Sequence, residues 1–252
     1  MNWLFDLGNT RLKWVAADAG DDAPVHALAH HQALDPCIGL DSALAAIQPG
    51  DTAWLASVTA TAINTTVENA LRDRGARVIK AQTLAEFAGV RIAYATPSQL
   101  GVDRFLSMVA AHALAAGPWL IVNVGTALTL DLLAVDGHHH GGLIAPSPDL
   151  MRQALAQRAP QLPPTGGTIH DFASSTIDAL ASGSTLASRG LIERSLSAAE
   201  RLLGVAPRVL LAGGGADALA AGWSVQSLCQ PDLVLRGLRL WVQAQQSSSP
   251  PR

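Results

Sequence analysis

Cysteine and aromatic residues are scarce in this chain of 252 residues. Its two cysteines, Cys37 and Cys229, are far apart and neither belongs to a closely spaced pair. A disulfide framework or a cysteine zinc site is therefore not expected, and a reducing compartment fits. Aromatic residues make up only 4% of the chain, so the core must consist mostly of Ala, Leu and Val.

The chain also lacks an excess of positive charge and any long apolar run. Its net charge is −3, which argues against non-specific nucleic-acid binding. No stretch approaches the roughly 20 apolar residues that span a bilayer, and residues 1–6 do not resemble a signal peptide. With 49% hydrophobic and 15% charged residues, the composition favours a well-buried globular interior. We expect a soluble, cytoplasmic protein without nucleic-acid or membrane partners.

Two glycine-hydroxyl turns are the most informative feature that is present. The first is Asp6–Thr10 and the second is Asn123–Thr126, nearly half the chain apart. Each follows an apolar run and precedes a second strand-like run. Glycine lets backbone approach a ligand closely, and adjacent amides and hydroxyls can donate to phosphate oxygens. The repetition predicts two related lobes that grip one polyphosphate, as in a nucleotide-dependent phosphotransferase.

The order of predicted elements also repeats. Each half reads as strands joined by a hairpin and then as strands alternating with helices, which indicates an α/β protein of two similar lobes. We expect a first lobe over 1–117, a second lobe over 118–246 and a disordered tail over 247–252. The periodicity predicts separate helices near 176–182 and 185–203. Gly213–Gly215 follows a buried strand and opens a helix, where it serves either a nucleotide or a plain strand-to-helix turn.

The first turn offers groups for metal and phosphate. Asp6 ends a buried strand, where an unpaired carboxylate is costly, and a Mg²⁺ held through water would give it a partner. Lys13 follows the turn and could reach a terminal phosphate as a point charge. The alternative is an Asx-type turn in which Asp6 and Asn9 only satisfy backbone amides. A Gly-x-x-x-x-Gly-Lys-Ser/Thr loop is absent, which excludes a P-loop enzyme.

Two further groups have both a structural and a functional interpretation. Asp103 lies near the predicted start of a helix at Arg104, where it caps that helix, accepts the proton of a substrate hydroxyl, or does both. The second turn adds hydroxyls at Thr126 and Thr129. Three consecutive histidines, His138–His140, project in alternating directions after Asp136–Gly137, so we expect a solvated turn rather than a metal site.

Taken together, these segments resemble the type III pantothenate kinases, also called the Bvg accessory factor family, of the acetate kinase/sugar kinase/Hsp70/actin superfamily. The resemblance covers essentially the full length. The motifs that carry it are Asp6–Lys13, Pro97–Arg104, Gly125–Asp131, Gly141–Pro146, Thr176–Ala179 and Ala212–Ala216. The run Leu100–Arg104 between the two phosphate turns is highly specific, whereas the last glycine motif is common in the superfamily.

This resemblance implies ATP-dependent phosphorylation of pantothenate at its 4′-hydroxyl, the first step toward coenzyme A. It implies two ribonuclease H-like (actin-like ATPase) lobes, each a mixed sheet with flanking helices, and a homodimer in which Thr176 reaches substrate across the subunit boundary. It places the ATP phosphates on Asp6, Leu7, Gly8, Asn9, Thr10, Arg11, Leu12, Lys13 and Thr126. It places pantothenate near Tyr94, Gly101, Val102, Asp103, Arg104 and Thr176, with Asp103 as proton acceptor. Our own hypothesis is that Arg104 binds the carboxylate or amide oxygens of pantothenate.

Two positions depart from the family pattern. Many relatives carry aspartate at position 123, where it helps to bind K⁺ or NH₄⁺, whereas Asn123 offers a carbonyl oxygen without charge. Ser147 replaces a glycine that usually follows Ala145–Pro146. These departures leave the need for a monovalent cation and the geometry of that turn open. A kinase for another small hydroxylated acid or sugar, and a non-catalytic nucleotide-binding accessory or regulatory protein, remain the alternatives.

Overall fold

The computed structural model describes residues 1–20, 23–29 and 39–247. In chain order its strands are β1 (Asn2–Leu7), β2 (Arg11–Ala16), β3 (His26–Ala29), β4 (Thr52–Ser57), β5 (Arg77–Lys80), β6 (Glu86–Phe87), β7 (Val90–Arg91), β8 (Trp119–Val124), β9 (Ala127–Leu133), β10 (His139–Pro146), β11 (Arg208–Ala212) and β12 (Ser227–Cys229). Its helices are α1 (Leu40–Ala43), α2 (Thr61–Asp73), α3 (Val102–Leu114), α4 (Pro148–Arg158), α5 (Thr176–Leu203), α6 (Ala216–Ala220) and α7 (Leu233–Ser247), with a 3₁₀ turn at Pro97–Gln99.

The chain divides into two compact units. Unit 1 comprises Met1–Leu114 and the segment from Asp232 onward, and unit 2 comprises Ala115–Pro231. Each contains a five-stranded sheet, in the orders β3-β2-β1-β4-β5 and β10-β9-β8-β11-β12. In both sheets the first three strands pair antiparallel and the remaining pairs are parallel. The predicted α/β architecture of two similar mixed sheets is therefore confirmed.

In unit 1 successive strand side chains project to opposite faces of the sheet, and the two faces pack against different helices. Phe5 and Leu7 face a core that they share with Leu55 and, from α2, Leu71. Leu4 and Asp6 face the opposite side, because successive strand residues alternate. Helices α3 and α7 pack on that side: Trp241 of α7 contacts Trp54 of β4 edge to face, with ring centroids 5.8 Å apart. Asp6 therefore lies on the face covered by α3 and α7.

The last helix joins unit 1, although the sequence interpretation extended the second lobe to residue 246. Helix α7 packs closely along α3, and a side chain at Gly237 would collide with the backbone of Leu106. Its apolar stripe is buried, including Leu235 and Trp241. Ser247 of the predicted tail ends α7, and residues 248–252 lie outside the described residues.

In unit 2 the core lies between the sheet and α5. Val122 and Leu211 of the sheet pack with Ile192 of α5. The prediction of two helices over 176–203 was wrong: α5 is continuous for 28 residues. Ser184 does not end the helix because its Oγ donates to Leu180 O at 2.8 Å, within the helix. Among the described residues, no helix combines the length and apolar character needed to cross a bilayer.

Candidate active site

The first turn closes the β1–β2 hairpin. Gly8 N donates to Arg11 O at 3.0 Å, and Asp6 lies directly opposite Lys13 in the register of the two strands. Because residues opposite each other in a strand pair project to the same face, both charged side chains project toward the side that carries α3 and α7. The hairpin thus brings the predicted metal-binding carboxylate and the predicted phosphate-binding cation together.

Helix α3 begins at Val102, two residues earlier than expected, so Asp103 lies in its first turn rather than at the N-cap. Its Oδ1 accepts a hydrogen bond from Arg104 N at 2.8 Å. A Cβ added at Gly101 would lie 2.6 Å from this oxygen, so glycine leaves the room that the carboxylate occupies. A carboxylate in the first helical turn is also favoured by the helix dipole. The candidate proton acceptor is therefore held in place by its own backbone surroundings.

Asp6 lies in an electrostatically unfavourable position. Its pKa is raised from 3.8 to about 7, chiefly by burial; the negative charges of Asp103 and Asp232 contribute to this rise and the positive charge of Lys13 opposes it. The effects of Asp103 and Asp232 place these carboxylates near Asp6. Such a cluster would be relieved by a divalent cation, which favours the ionised form.

These acidic residues fit a magnesium ion that is held through water. Among the described residues, no group of three or more His, Cys, Asp or Glu side chains is arranged to hold a metal ion. Mg²⁺ usually keeps several of its waters and needs only one or two carboxylates plus substrate phosphates. Asp6 has a raised pKa, and such an ion would stabilise its ionised form.

Asp232 is a member of this cluster that the sequence interpretation missed. It immediately precedes α7, and its Oδ1 lies 2.8 Å from Lys13 Nζ. The Pro-Asp pair before an apolar helical run is a signal for a helix start, but it does not identify a partner 219 positions away.

Tyr94 and Arg104, both predicted to bind substrate, are in contact. Arg104 is 4% exposed, and its Nη1 donates to the Tyr94 hydroxyl at 3.2 Å. The guanidinium also lies 5.9 Å from the centre of the Tyr94 ring. The nearby backbone is fixed by Thr83, whose Oγ1 donates to Leu100 O at 2.8 Å. The structure therefore assembles Tyr94 with Gly101–Arg104 at the start of α3.

The second turn, in unit 2, also joins two antiparallel strands but is one residue shorter than the first. Gly125 N donates to Ala127 O at 2.9 Å, and Asn123 lies opposite Thr129. Ser147 orders this turn: its Oγ donates to Thr126 O at 2.9 Å and accepts from Leu150 N at 3.2 Å, which caps α4. Its buried hydroxyl thus connects Thr126 to the start of α4.

Gly213 lies against the second turn, and its identity is required there. Its φ is +84°, and a Cβ would lie 2.5 Å from Val124 O. Gly215 N donates to the same carbonyl at 3.0 Å. The glycine motif therefore packs on the backbone that leads into the second turn.

The histidine run was interpreted wrongly. His139 belongs to β10 and is fully buried, and its Nε2 lies 3.0 Å from Asp131 Oδ1, which is also fully buried. A solvated turn was predicted because the three side chains were expected to project in alternating directions; His140 is exposed, whereas His139 is buried. Thr176 is the first residue of α5 in unit 2 and is exposed.

Comparison with known proteins identifies the family of this chain. The sequence model described as "Type III pantothenate kinase" matches residues 3–198. A relative of that name from Stenotrophomonas maltophilia (strain K279a) is 48% identical over 244 residues, covering 96% of this chain and 97% of its own length. One from Xanthomonas campestris pv. campestris (strain B100) is 47% identical over 241 residues, covering 95% and 96%.

Two solved structures are similar in fold. A Campylobacter jejuni protein titled as a Baf family transcriptional activator has a TM-score of 0.62 at 19% identity, covering 97% of this chain and 99% of its own. A Bacillus thuringiensis ParM hybrid protein with ADP has a TM-score of 0.50 at 10% identity, covering 97% and 48%. These similarities support the predicted actin-like fold. The family model and the near full-length relatives go further: this chain belongs to the type III pantothenate kinase family.

Proposed function

We propose that this chain transfers the γ-phosphoryl group of ATP to the 4′-hydroxyl of pantothenate through the carboxylate and lysine cluster of unit 1. The observation that carries the proposal is the grouping of Asp6, Lys13 and Asp103 on the sheet face that carries α3 and α7. Phosphoryl transfer depends mainly on positioning and on neutralising charge, and this cluster provides a cation, a metal-binding carboxylate and a proton acceptor.

Each residue has a separate role in the reaction. The amides of the first turn and Lys13 bind the phosphates, and we also assign Thr126 to phosphate binding. Asp103 accepts the proton of the 4′-hydroxyl as its oxygen bonds to the γ-phosphorus and the bond to the β-phosphate oxygen breaks, releasing ADP. Asp6 would hold Mg²⁺ through water, and the ion would supply positive charge to neutralise the phosphates.

Arg104 and Tyr94 provide the acceptor side of the site. A buried guanidinium offers a planar pair of donors that suits a carboxylate or amide oxygen. The Tyr94 hydroxyl, which accepts from Arg104 Nη1, helps to keep that plane in one orientation. We assign pantothenate to these side chains, to Gly101–Asp103, and to Thr176.

The proposal includes a homodimer in which unit 2 provides the interface. Several large apolar side chains between positions 143 and 177 are exposed, and Phe172 is 99% exposed. Such exposure is unusual in a monomer and is typical of an interaction surface. The exposed apolar residues in this range are Leu143, Ile144, Leu155, Ile169, Phe172 and Ile177. We assign the enzyme to the cytoplasm, where ATP is available.

A phosphotransfer assay tests the proposal. Purified protein is given Mg²⁺, ATP and pantothenate, with K⁺ or NH₄⁺ supplied, and phosphopantothenate is measured directly. Asp103→Asn should lose at least about 1,000-fold in turnover while nucleotide still binds, because it keeps the shape but not the base. The control is Asp73→Asn, an exposed residue at the end of α2.

Three outcomes would contradict the proposal in different ways. Undiminished turnover in Asp103→Asn would remove this residue from the mechanism. ATP consumption with another hydroxylated acid or sugar but not with pantothenate would change the substrate. Nucleotide binding without any product would favour the accessory-protein alternative.

A further inference from the structure

The ion pair between Lys13 and Asp232 places a carboxylate on the cation to which the proposed function assigns a phosphate. Lys13 Nζ donates to Asp232 Oδ1 at 2.8 Å. An ammonium group has three N–H donors but only one positive charge. An anion that binds Lys13 therefore shares that charge with Asp232, and its affinity is lower than it would be for an unpaired lysine.

The backbone on both sides of this pair is fixed by hydrogen bonds. Asp232 O accepts from Arg236 N at 3.1 Å, which is the first helical bond of α7. Further along α7, Arg239 Nε donates to Ala17 O at 3.2 Å. Ala17 directly follows β2, the strand that carries Lys13. Helix α7 is thus bonded to the end of β2, so Asp232 remains within reach of Lys13 when another anion arrives.

The surroundings of the pair carry an excess of negative charge. Asp6 lies opposite Lys13 in the β1–β2 register, and the pKa of Asp6 is affected by Asp103 from α3 and by Asp232 from the start of α7. Three carboxylates are therefore grouped near one ammonium. Lys13 and Asp232 are also partly exposed, so a ligand from solution can reach both. A phosphate that binds here competes for the charge of Lys13.

The reaction leaves a phosphate beside Lys13 after transfer as well as before it. The bond from the β-phosphate oxygen to the γ-phosphorus breaks, the 4′-oxygen bonds to that phosphorus, and Asp103 takes the hydroxyl proton. The γ-phosphate has then become the phosphate of the product. If Lys13 held this group tightly, product would leave slowly, and product release limits turnover in many enzymes.

We propose that Asp232 is a positioning residue for product release: it re-forms its ion pair with Lys13 and thereby displaces the phosphate of the phosphorylated acceptor from that ammonium. The inference rests on the proposed function, because that function assigns the transferred phosphate to Lys13. The exchange breaks no covalent bond. It replaces one charge-assisted hydrogen bond of Lys13 by another, and the negative charge of Asp232 supplies the competition.

Calorimetric titration with phosphopantothenate and with pantothenate tests this role. Asp232→Asn should lower the dissociation constant of phosphopantothenate by at least about 3-fold and that of pantothenate by less than about 1.5-fold, because only the product carries a phosphate. The dissociation rate of phosphopantothenate, measured by stopped-flow displacement, should fall by a similar factor. Asp232→Glu keeps the charge and should keep both constants within about 2-fold of wild type. Asp41→Asn, which removes an exposed ion pair with Arg74, is the control.

A second background separates an effect through Lys13 from direct repulsion of the product by Asp232. In Lys13→Met, the further change Asp232→Asn should alter the dissociation constant of phosphopantothenate by less than about 1.5-fold, because no ammonium remains to be exchanged. An undiminished effect in that background would overturn the positioning role. Unchanged or weaker product binding by Asp232→Asn alone would also overturn it, while turnover of pantothenate by wild type would still support the proposed function. Absence of that turnover would instead reject the proposed function.

Discussion

Lys13 Nζ lies 2.8 Å from Asp232 Oδ1, so the cation expected to bind the terminal phosphate is held by a carboxylate just before α7. The two side chains are 18% and 34% exposed, so the pair is partly screened by solvent. A phosphate that binds Lys13 must therefore compete with Asp232. Asp232 also adds negative charge near Asp6, and this charge disfavours the binding of a phosphate.

Neutralising Asp232 should consequently tighten nucleotide binding. We expect Asp232→Asn to lower the dissociation constant for ATP by about 3-fold and the free energy of unfolding by about 0.5 kcal/mol. Lys13→Met should weaken ATP binding by at least about 10-fold. Calorimetric titration with ATP measures the dissociation constants of both variants. Asp41→Asn, which breaks the exposed ion pair with Arg74, should not alter ATP binding; weaker binding by Asp232→Asn would contradict the competition.

The raised pKa of Asp6 predicts a pH dependence of stability. A folded-state pKa of about 7, against 3.8 for the ordinary side chain, means that the folded chain retains a proton that the unfolded chain releases. The stability linked to Asp6 is fully present below pH 3.8 and is lost as pH rises through about 7.

The substitution Asp6→Asn should remove this loss of stability at high pH. Its free energy of unfolding should exceed that of wild type by about 2 kcal/mol at pH 8, less than the full pKa difference implies because Asp6 is partly exposed. The difference between the two proteins should shrink steadily as pH falls toward 4. Urea unfolding at a series of pH values measures it, with Asp73→Asn as control. A difference that stays constant between pH 4 and 8 would refute the linkage.

The sequence predicted the features of this protein that repeat or that follow from local pattern. Strand alternation and the two glycine turns gave the two mixed sheets and the hairpins that carry Asp6 and Asn123. The family resemblance placed both Tyr94 and Arg104 near the substrate, and the structure brings these two side chains into contact.

Features that depend on distant partners could not be predicted in the same way. An apolar stripe shows that α7 must be buried, but not that it packs on α3 of unit 1. Three histidines after a turn give no sign that His139 is buried against Asp131. Serines in α5 resemble helix ends until their bonds to the preceding turn are visible. For α7 and His139, a contact outside the local window determines the outcome.

Arg104→Lys should affect the acceptor far more than the nucleotide. Lysine keeps the charge but loses the planar fork and the bond that Arg104 Nη1 makes to the Tyr94 hydroxyl at 3.2 Å. We expect the KM for pantothenate to rise by at least about 10-fold and that for ATP by less than about 2-fold. Arg91→Lys, at an exposed position on β7, is the matched control. Equal changes in both KM values would refute the assignment of Arg104 to pantothenate.

Because position 123 is asparagine, we expect the turnover of this enzyme to depend little on monovalent cations. Its amide lacks the charge that a carboxylate would offer a cation such as K⁺, so turnover should change by less than about 2-fold when choline replaces K⁺. Asn123→Asp restores the charge and should make turnover rise with K⁺ or NH₄⁺. Initial rates over a range of K⁺ concentrations measure this. A strong K⁺ requirement in wild type would show that the amide suffices.

Ser147 should support the nucleotide site through Thr126. Its hydroxyl makes a bond to Thr126 O and caps α4 through Leu150 N, so Ser147→Gly should lower the free energy of unfolding by about 1–2 kcal/mol. Because the second turn loses an anchor, the KM for ATP should rise by about 3-fold or more while that for pantothenate stays unchanged. Ser175→Ala removes the N-cap of α5 and is the control for lost stability alone. If the two variants lose similar stability and neither changes the KM for ATP, Ser147 serves only to cap its helix.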